Sequence, residues 1–412
     1  MVLIAHPTGN VFVREAVSAI DEGGLLAEFH TAIAACGGNF FSKLADLPGF
    51  REIQRRNLSP KIRKRLRLHP SWECGRLLAS RMGLGFATRH ETGFFSLDAV
   101  YRSLDLSVAR RLLERRFSAV YCYEDGALET FRVARNAGIP CVYDLPIAHW
   151  STVRKLLLEE AERLPEWACT MDGLRDSEIK LQRKDEELKL ADVVICPSEF
   201  VRNSLPLEIQ NRKCTEVVSF GSPHVLESER PIRREGPLKV LFAGSMTQRK
   251  GLGDLFLAMK LLDSKRFELN VLGTPVAGLA FYRSQFPGFI HHSTRGHADV
   301  LDLMRSCDLL VLPSIVEGRA LVQQEAMACG LPVIATRNAG AEDLLEDRTA
   351  GFLVPIRSPE SIAEKLQLLE NDRELLASMS LAARVKAKNR SWNGYRSKIV
   401  EIMSAVIHFS SQ

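Results

Sequence analysis

Short apolar, β-branched runs alternate along the chain with stretches whose apolar residues recur every three or four positions. In the first half the runs are VLIAH (2–6), AVYCY (119–123), CVYDLP (141–146), DVVICP (192–197) and TEVVSFG (215–221). Their apolar character is continuous rather than alternating, which predicts strands buried on both faces of a parallel sheet covered by helices. A polar stretch bearing Pro and Gly, SERPIRREGP (228–237), then interrupts the rhythm and reads as a linker. After it the alternation restarts with LKVLFAG (238–244), FELNVLG (267–273), GFIHHS (288–293), DLLVLPS (308–314), PVIAT (332–336) and GFLVP (351–355). The pattern predicts two parallel α/β domains joined by that linker. Between about residues 42 and 100 no strand rhythm is visible, and the chain has no internal repeat.

Composition narrows the class. With 412 residues, 46% hydrophobic and 25% charged, the chain has the make-up of a soluble globular protein of two domains. No apolar run reaches the roughly 18 residues that a membrane span needs. The opening MVLIAHPTGNVFVRE has no basic region before its apolar run and reads as a first strand, not a signal peptide. Nine cysteines are scattered singly, with no Cys-x-x-Cys, which predicts reduced, buried thiols in a cytoplasmic protein. A net charge of +5 does not call for a nucleic-acid partner.

Two strand ends in the second half carry candidate chemistry, because ligands of open α/β sheets sit beyond the carboxyl ends of the strands. In VLFAGSMTQRKGLGDLF the chain leaves a strand through Gly244 and Ser245 and reaches Arg249 and Lys250 before a helix. Two adjacent cations after a glycine turn suit a pyrophosphate. A P-loop is excluded, since Gly251 stands where Ser or Thr is required, and Phe256 breaks the dinucleotide fingerprint. The second end is EGRALVQQEAMACGLPVIAT. Here a loop ending in Glu317, Gly318 and Arg319 leads into a helix over 320–329, closed by Gly330 and Pro332. The amides of residues 319 to 322 (Arg319, Ala320, Leu321 and Val322) present the positive end of the helix dipole, where a diphosphate is favoured. Glu325, in the second turn, is placed for ribose hydroxyls, and Glu317 points beyond the phosphates. A pair of ordinary surface glutamates would give the same spacing. The pattern gains meaning from its company.

Taken with FAGSMTQRKG, LPSIVEG, QQEAMACGLPVIAT, AGAEDLLEDRTAGFLVP, ADVVICPSEFVRNSL and the late SWNGY, the order and spacing resemble the retaining glycosyltransferases of family four. The resemblance runs over roughly residues 190 to 395. It implies an α/β GT-B fold: two Rossmann-like domains facing a cleft, with a final helix crossing back to the first. The expected parts are an acceptor domain over 1–227, a donor domain over 238–390 and the crossover helix over 391–412. The resemblance further implies that Glu317 approaches the donor sugar, Glu325 the ribose, and Arg249 and Lys250 the diphosphate. STRGHADV, with Arg295 and Gly296, would lie near the nucleobase. The sequence departs from the family where it reads Glu317-Gly318-Arg319-Ala320 without the usual aromatic and second glycine, and where SFGSPH (219–224) replaces an Asn-Gly.

The first domain is expected to hold the acceptor. HPTGN (6–10) resembles the family's glycine-bearing loop at the acceptor cleft, which nominates Gly9 and Asn10. Asp144 and His149 close the stretch where the family often carries a histidine near the transferred sugar; for His149 a structural role competes, and for His6 it prevails. Glu124 and Asp125 stand at another strand end without a partner legible in the sequence. The implied reaction moves a sugar from a nucleotide-diphosphate donor to a saccharide or lipid-linked acceptor with retention. The departing diphosphate accepts the proton, and no cofactor is required. No Asp-x-Asp occurs, so no metal is expected. Two alternatives are a nucleotide-sugar-binding scaffold without transferase activity and an epimerase on the same fold; a phosphorylase would need a pyridoxal lysine that cannot be pointed to. Finally, REIQRRNLSPKIRKRLRLHP (51–70) sets eight cations against Glu52 alone. A solvated loop would explain it, and so would peripheral, salt-reversible attachment to an anionic membrane surface.

Overall fold

A computed structural model describes residues 1–45, 51–225, 235–293, 296–345 and 348–409. All eleven predicted strands form. Most of the predicted linker lies outside the described residues. The first sheet runs Leu66–Leu68, Leu26–Thr31, Val2–Ala5, Ala119–Tyr123, Cys141–Asp144, Val193–Cys196 and Cys214–Val217 in spatial order, every pair parallel. The second runs Phe289–His292, Phe267–Leu272, Leu238–Ala243, Leu309–Leu312, Val333–Thr336 and Gly351–Val354, again parallel throughout. In each sheet the chain starts in the middle, winds outward through two strands, then returns to wind the other way. That reversal opens a crevice at the carboxyl ends of the central strands. The expected pair of Rossmann-like α/β domains is present.

Two strands of the first sheet carry no apolar run, for a physical reason. Leu26–Thr31 reads LAEFHT and buries Glu28 completely. Arg111 grips that carboxylate from the flanking helix at 2.8 and 3.0 Å, and His30 Nε2 meets it at 3.0 Å. Leu66–Leu68 is framed by Arg65, paired with Asp21, and Arg67, 3.5 Å from Glu28. Buried charge is tolerated here because it is paired and hydrogen-bonded. The same pairing changes the reading of the basic segment. Arg56 is buried against Glu73 at 2.6 Å and, with Arg65 and Arg67, is tied into the fold. Only part of that run is a solvated face: Arg55, Lys61, Arg63 and Lys64 remain exposed. The thiol expectation is also corrected in part. All nine cysteines are free, but Cys74, Cys169 and Cys214 are exposed.

Each core contains chain from the other half. The helix Trp392–Phe409 lays Tyr395, Ile399, Ile402 and Met403 into the first core, against the helix Val11–Glu22. Conversely, the helix Trp150–Arg163 and the 3-10 segment Pro165–Thr170 send Leu157 and Trp167 into the second core. There Trp167 meets Phe281, Tyr282 and Phe256 edge-on, with ring centres 5.1 to 5.8 Å apart.

Candidate active site

The loop after Leu238–Ala243 turns through Gly244 and Ser245 into a short 3-10 turn, Gln248–Lys250. It ends at Gly251, which adopts φ +75°; a Cβ there would lie 2.0 Å from the carbonyl oxygen of Pro313. Only glycine can follow Lys250, which is why no P-loop Ser or Thr stands there. Both cations converge on one carboxylate. Arg249 Nη1 lies 3.0 Å from Glu317 Oε2, and Lys250 Nζ pairs with the same oxygen. Burial alone would raise the carboxyl of Glu317, but Lys250 and Arg249 outweigh it and hold the group at about 2. Burial lowers the Lys250 ammonium, and Glu317 partly restores it. Two cations and one fixed anion leave the cluster at +1, open to a polyanion.

Glu317 is delivered by a wedged loop. A Cβ on Gly318 would lie 1.7 Å from the carbonyl oxygen of Pro146 in the other half, and Ser198 Oγ donates to Gly318 O at 2.8 Å. Gly318→Ala is therefore expected to displace this loop, at a cost of about 1–3 kcal/mol of stability and most of the activity. Thermal unfolding and donor turnover of the variant check this. The helix begins at Leu321 rather than Ala320, so Leu321 and Val322 head it. The side chain of Arg319 turns away from the helix start. It is buried, donates to Asp343 at 2.7 and 3.1 Å and to Gly340 O at 3.1 Å, and so leaves only its backbone at the helix start. The departure at this position is structural: Arg319 clamps the loop from behind. Glu325 lies in the second turn as expected, half-buried, its carboxyl raised by that burial. His297, next to Gly296 at the head of the helix His297–Ser306, stands 3.9 Å away. Arg295 lies outside the described residues.

On the other wall the predicted residues divide. Gly9 takes φ +59° and Asn10 precedes the helix Val11–Glu22 at an exposed position. Behind them the ring of His6 accepts from the amides of Thr8 and Gly9 at 3.1 Å each, and burial, helped by Arg56, lowers it to about 3. His6 is a neutral loop support. Asp144 is 2% exposed and accepts from Tyr121 at 2.6 Å, with burial raising it to about 7. His149 is buried as well. It caps the helix Trp150–Arg163 through Ser151, and its Nε2 lies 3.2 Å from Asp185, so both ring nitrogens serve the fold. Between the halves lies a cavity of about 190 Å³ that reaches Arg249 and is walled by Glu124, Trp150, Asp176 and Lys184. Lys184 is the partner that Glu124 lacked, at 3.5 Å; burial lifts Glu124 to about 7 against the pull of that cation. Nearby His90, Glu91 and Asp176 have metal-like spacing, but Lys180 and Lys184 already hold Asp176 at 3.0 and 3.4 Å.

With this geometry in place, comparison with known proteins is informative. Residues 226–386 match the family model of glycosyl transferases group 1. Over those residues the chain resembles this family. An uncharacterized glycosyltransferase of Methanocaldococcus jannaschii is 28% identical over 212 residues, 49% of this chain and 56% of its own. A D-inositol 3-phosphate glycosyltransferase of Arthrobacter sp. is 30% identical over 168 residues, 38% and 40% of the two chains. The chain thus spans about half the length of these curated relatives. Whole-chain similarity appears in structure. Sucrose-phosphate synthase from Thermosynechococcus elongatus superposes with TM-score 0.65 at 15% identity, covering 100% and 99% of the two chains. Anabaena HepE, solved with UDP-glucose, gives 0.63 at 16%, covering 98% and 99%. The shared fold is that of GT-B glycosyltransferases.

Two organising residues had no sequence signal beyond their neighbours. Ser198, an ordinary helix cap by sequence, also crosses to Gly318. Gln248 is fully buried beside the cation pair. Its side chain donates to Glu160 and Asp254 at 2.8 Å each and accepts from Gly253 at 2.9 Å, while its amide donates to Thr170 at 3.0 Å. Glu160 and Thr170 belong to the segment inserted from the first half. That contact could be found only in three dimensions.

Proposed function

We propose that this protein transfers a sugar from a nucleotide-diphosphate donor to a saccharide or lipid-linked acceptor, with retention and without a bound metal. The observation that carries the reading is the convergence of Arg249 and Lys250 on Glu317, beside the first amides of the helix Leu321–Ala328. A departing diphosphate gains about one further unit of negative charge, which these groups are already oriented to receive in a partly dry site where such contacts count most. Glu317 keeps the two cations aligned and can accept from a donor-sugar hydroxyl. Glu325 can accept from the ribose. The acceptor would enter through the cavity between the halves, and its hydroxyl proton can pass to the leaving diphosphate oxygen on the same face. That path suits retention and uses no separate nucleophile. A cytoplasmic station, at the inner face of the membrane when the acceptor is lipid-linked, fits this donor chemistry.

The structural neighbour HepE was solved with UDP and with UDP-glucose, which makes uridine donors the first to try. A thermal-shift panel of UDP-, GDP- and ADP-sugars, followed by nucleoside-diphosphate release, tests the reading. A stabilising nucleotide-sugar is expected in the panel. Glu325→Gln should weaken its binding by about tenfold while leaving the saturated rate within a few-fold, because one charged acceptor is lost. No shift with any nucleotide-sugar would remove the reading.

A further inference from the structure

The segment from Ile33 to Leu97 holds twelve lysines and arginines against four acids, a balance of +8 in a chain whose total is +5. The rest of the molecule is therefore net negative. This cationic segment forms a lobe at the edge of the first sheet with its own small core of Ile33, Ala35, Phe41, Ala45 and Ile53. Its surface is unusual in a second respect. Phe40, Phe86 and Phe94 are 72%, 70% and 67% exposed, and every other described Phe, Tyr or Trp in the molecule is buried or half-buried. The helix Pro70–Arg81 turns Cys74 and Leu78 outward four residues apart, and Met82 continues the stripe. The rings are held rather than loose. Phe94 leans on Trp72 with ring centres 4.7 Å apart, and Phe95 closes on the helix so tightly that a Cβ on Gly75 would lie 2.3 Å from its ring.

Scattered exposed apolar residues are normal on a soluble protein, but concentration of every exposed Phe, Tyr or Trp among the described residues on one cationic lobe is not. Exposed Lys61, Arg63, Lys64 and Arg89 share the lobe. Arg63 donates to Gly37 O at 2.6 Å, three residues before Phe40. Cations with interleaved apolar side chains are what an anionic bilayer surface recognises: charge draws the protein in, and rings settle at the headgroup boundary. A second copy of this chain would set +8 against +8.

We propose that the lobe 33–97 docks on an anionic lipid surface, with Phe40, Leu78, Met82, Phe86 and Phe94 entering the headgroup layer and the exposed cations meeting lipid phosphates. This deepens the proposed function and rests on it for its purpose. The lobe reaches the acceptor-side cavity through His90, 2.9 Å from Asp176, and Glu91, which accepts from the Ser177 amide at 2.9 Å. A lipid-linked acceptor would then be presented beside Arg249.

Sedimentation with phosphatidylcholine vesicles, with and without phosphatidylglycerol, tests the docking at low and high salt. The protein is expected to pellet with the anionic vesicles only and to be released by salt. Lys61→Glu/Lys64→Glu should abolish binding, and Phe86→Ser/Phe94→Ser should lower partition at least about tenfold. Both pairs are exposed, so unchanged thermal unfolding verifies the fold. Equal pelleting with both lipids, none with either, or variants that bind as the parent does would overturn the proposal. So would a dimer, seen by light scattering, that the phenylalanine variant dissolves while vesicles bind nothing. Vesicle binding needs no turnover, so it fails or succeeds independently of the nucleotide-sugar panel.

Discussion

Glu317→Gln is expected to lower turnover by at least about a hundredfold while leaving donor affinity within a few-fold. The charge count explains the split. Removing the anion takes the cluster from +1 to +2, so attraction for a diphosphate is kept. What is lost is the anchor that holds Arg249 and Lys250 in one orientation, together with a charged acceptor at the sugar end. The carboxyl is held at about 2, so it stays ionised through any practical assay pH, and its loss cannot be mimicked by mild acid. Breaking a buried ion pair can also cost about 3–5 kcal/mol of stability. Turnover must therefore be read alongside thermal unfolding and donor binding. Near-wild-type turnover in a folded variant would make Glu317 an ordinary packed ion-pair member.

Replacing Arg249 and Lys250 together by alanine should abolish transfer, with a loss on the order of a thousandfold or more, whereas EDTA should leave the parent enzyme's rate unchanged. The two results belong together. If protein cations neutralise the diphosphate, removing them removes the main electrostatic stabilisation, and a chelator has nothing to take. Gly251 packs on Pro313 and Gln248 is anchored on four partners, so the turn itself should survive the double substitution. Strict dependence on added Mg²⁺ or Mn²⁺ would overturn this account of the donor site.

Legibility in the sequence followed the chemistry of burial. Strands such as AVYCY and DLLVLPS were visible because a doubly covered parallel strand is apolar at every position. LAEFHT was not, because its stability comes from a buried Glu28–Arg111 pair, and one partner stands 83 residues from the other. The cluster of Arg249, Lys250 and Glu317 was legible because cation pair, loop glutamate and helix start are each local, and the fold only brought them together. His149 and Asp144 read as site residues by position; in the fold one also caps a helix and the other accepts a tyrosine hydrogen bond. The side chain of Arg319, of which only the amide was nominated, is held inward by Asp343, 24 residues on. Such competition between partners is a property of the folded chain, and no spacing announces it.

The exchange of segments between the two cores has a consequence for how the protein is made. Leu157 and Trp167 leave the ribosome well before Leu238, the first residue of the sheet against which they pack. Until that sheet exists they have only water, or a chaperone, to face. The first core waits longer still, since Ile399 and Met403 are made after the whole of the second sheet. Neither half can close its interior during translation, and an N-terminal fragment released early would expose apolar faces on two sides. Expression of either half alone should give insoluble product, so the pair is inherited, mutated and recombined as one folding unit.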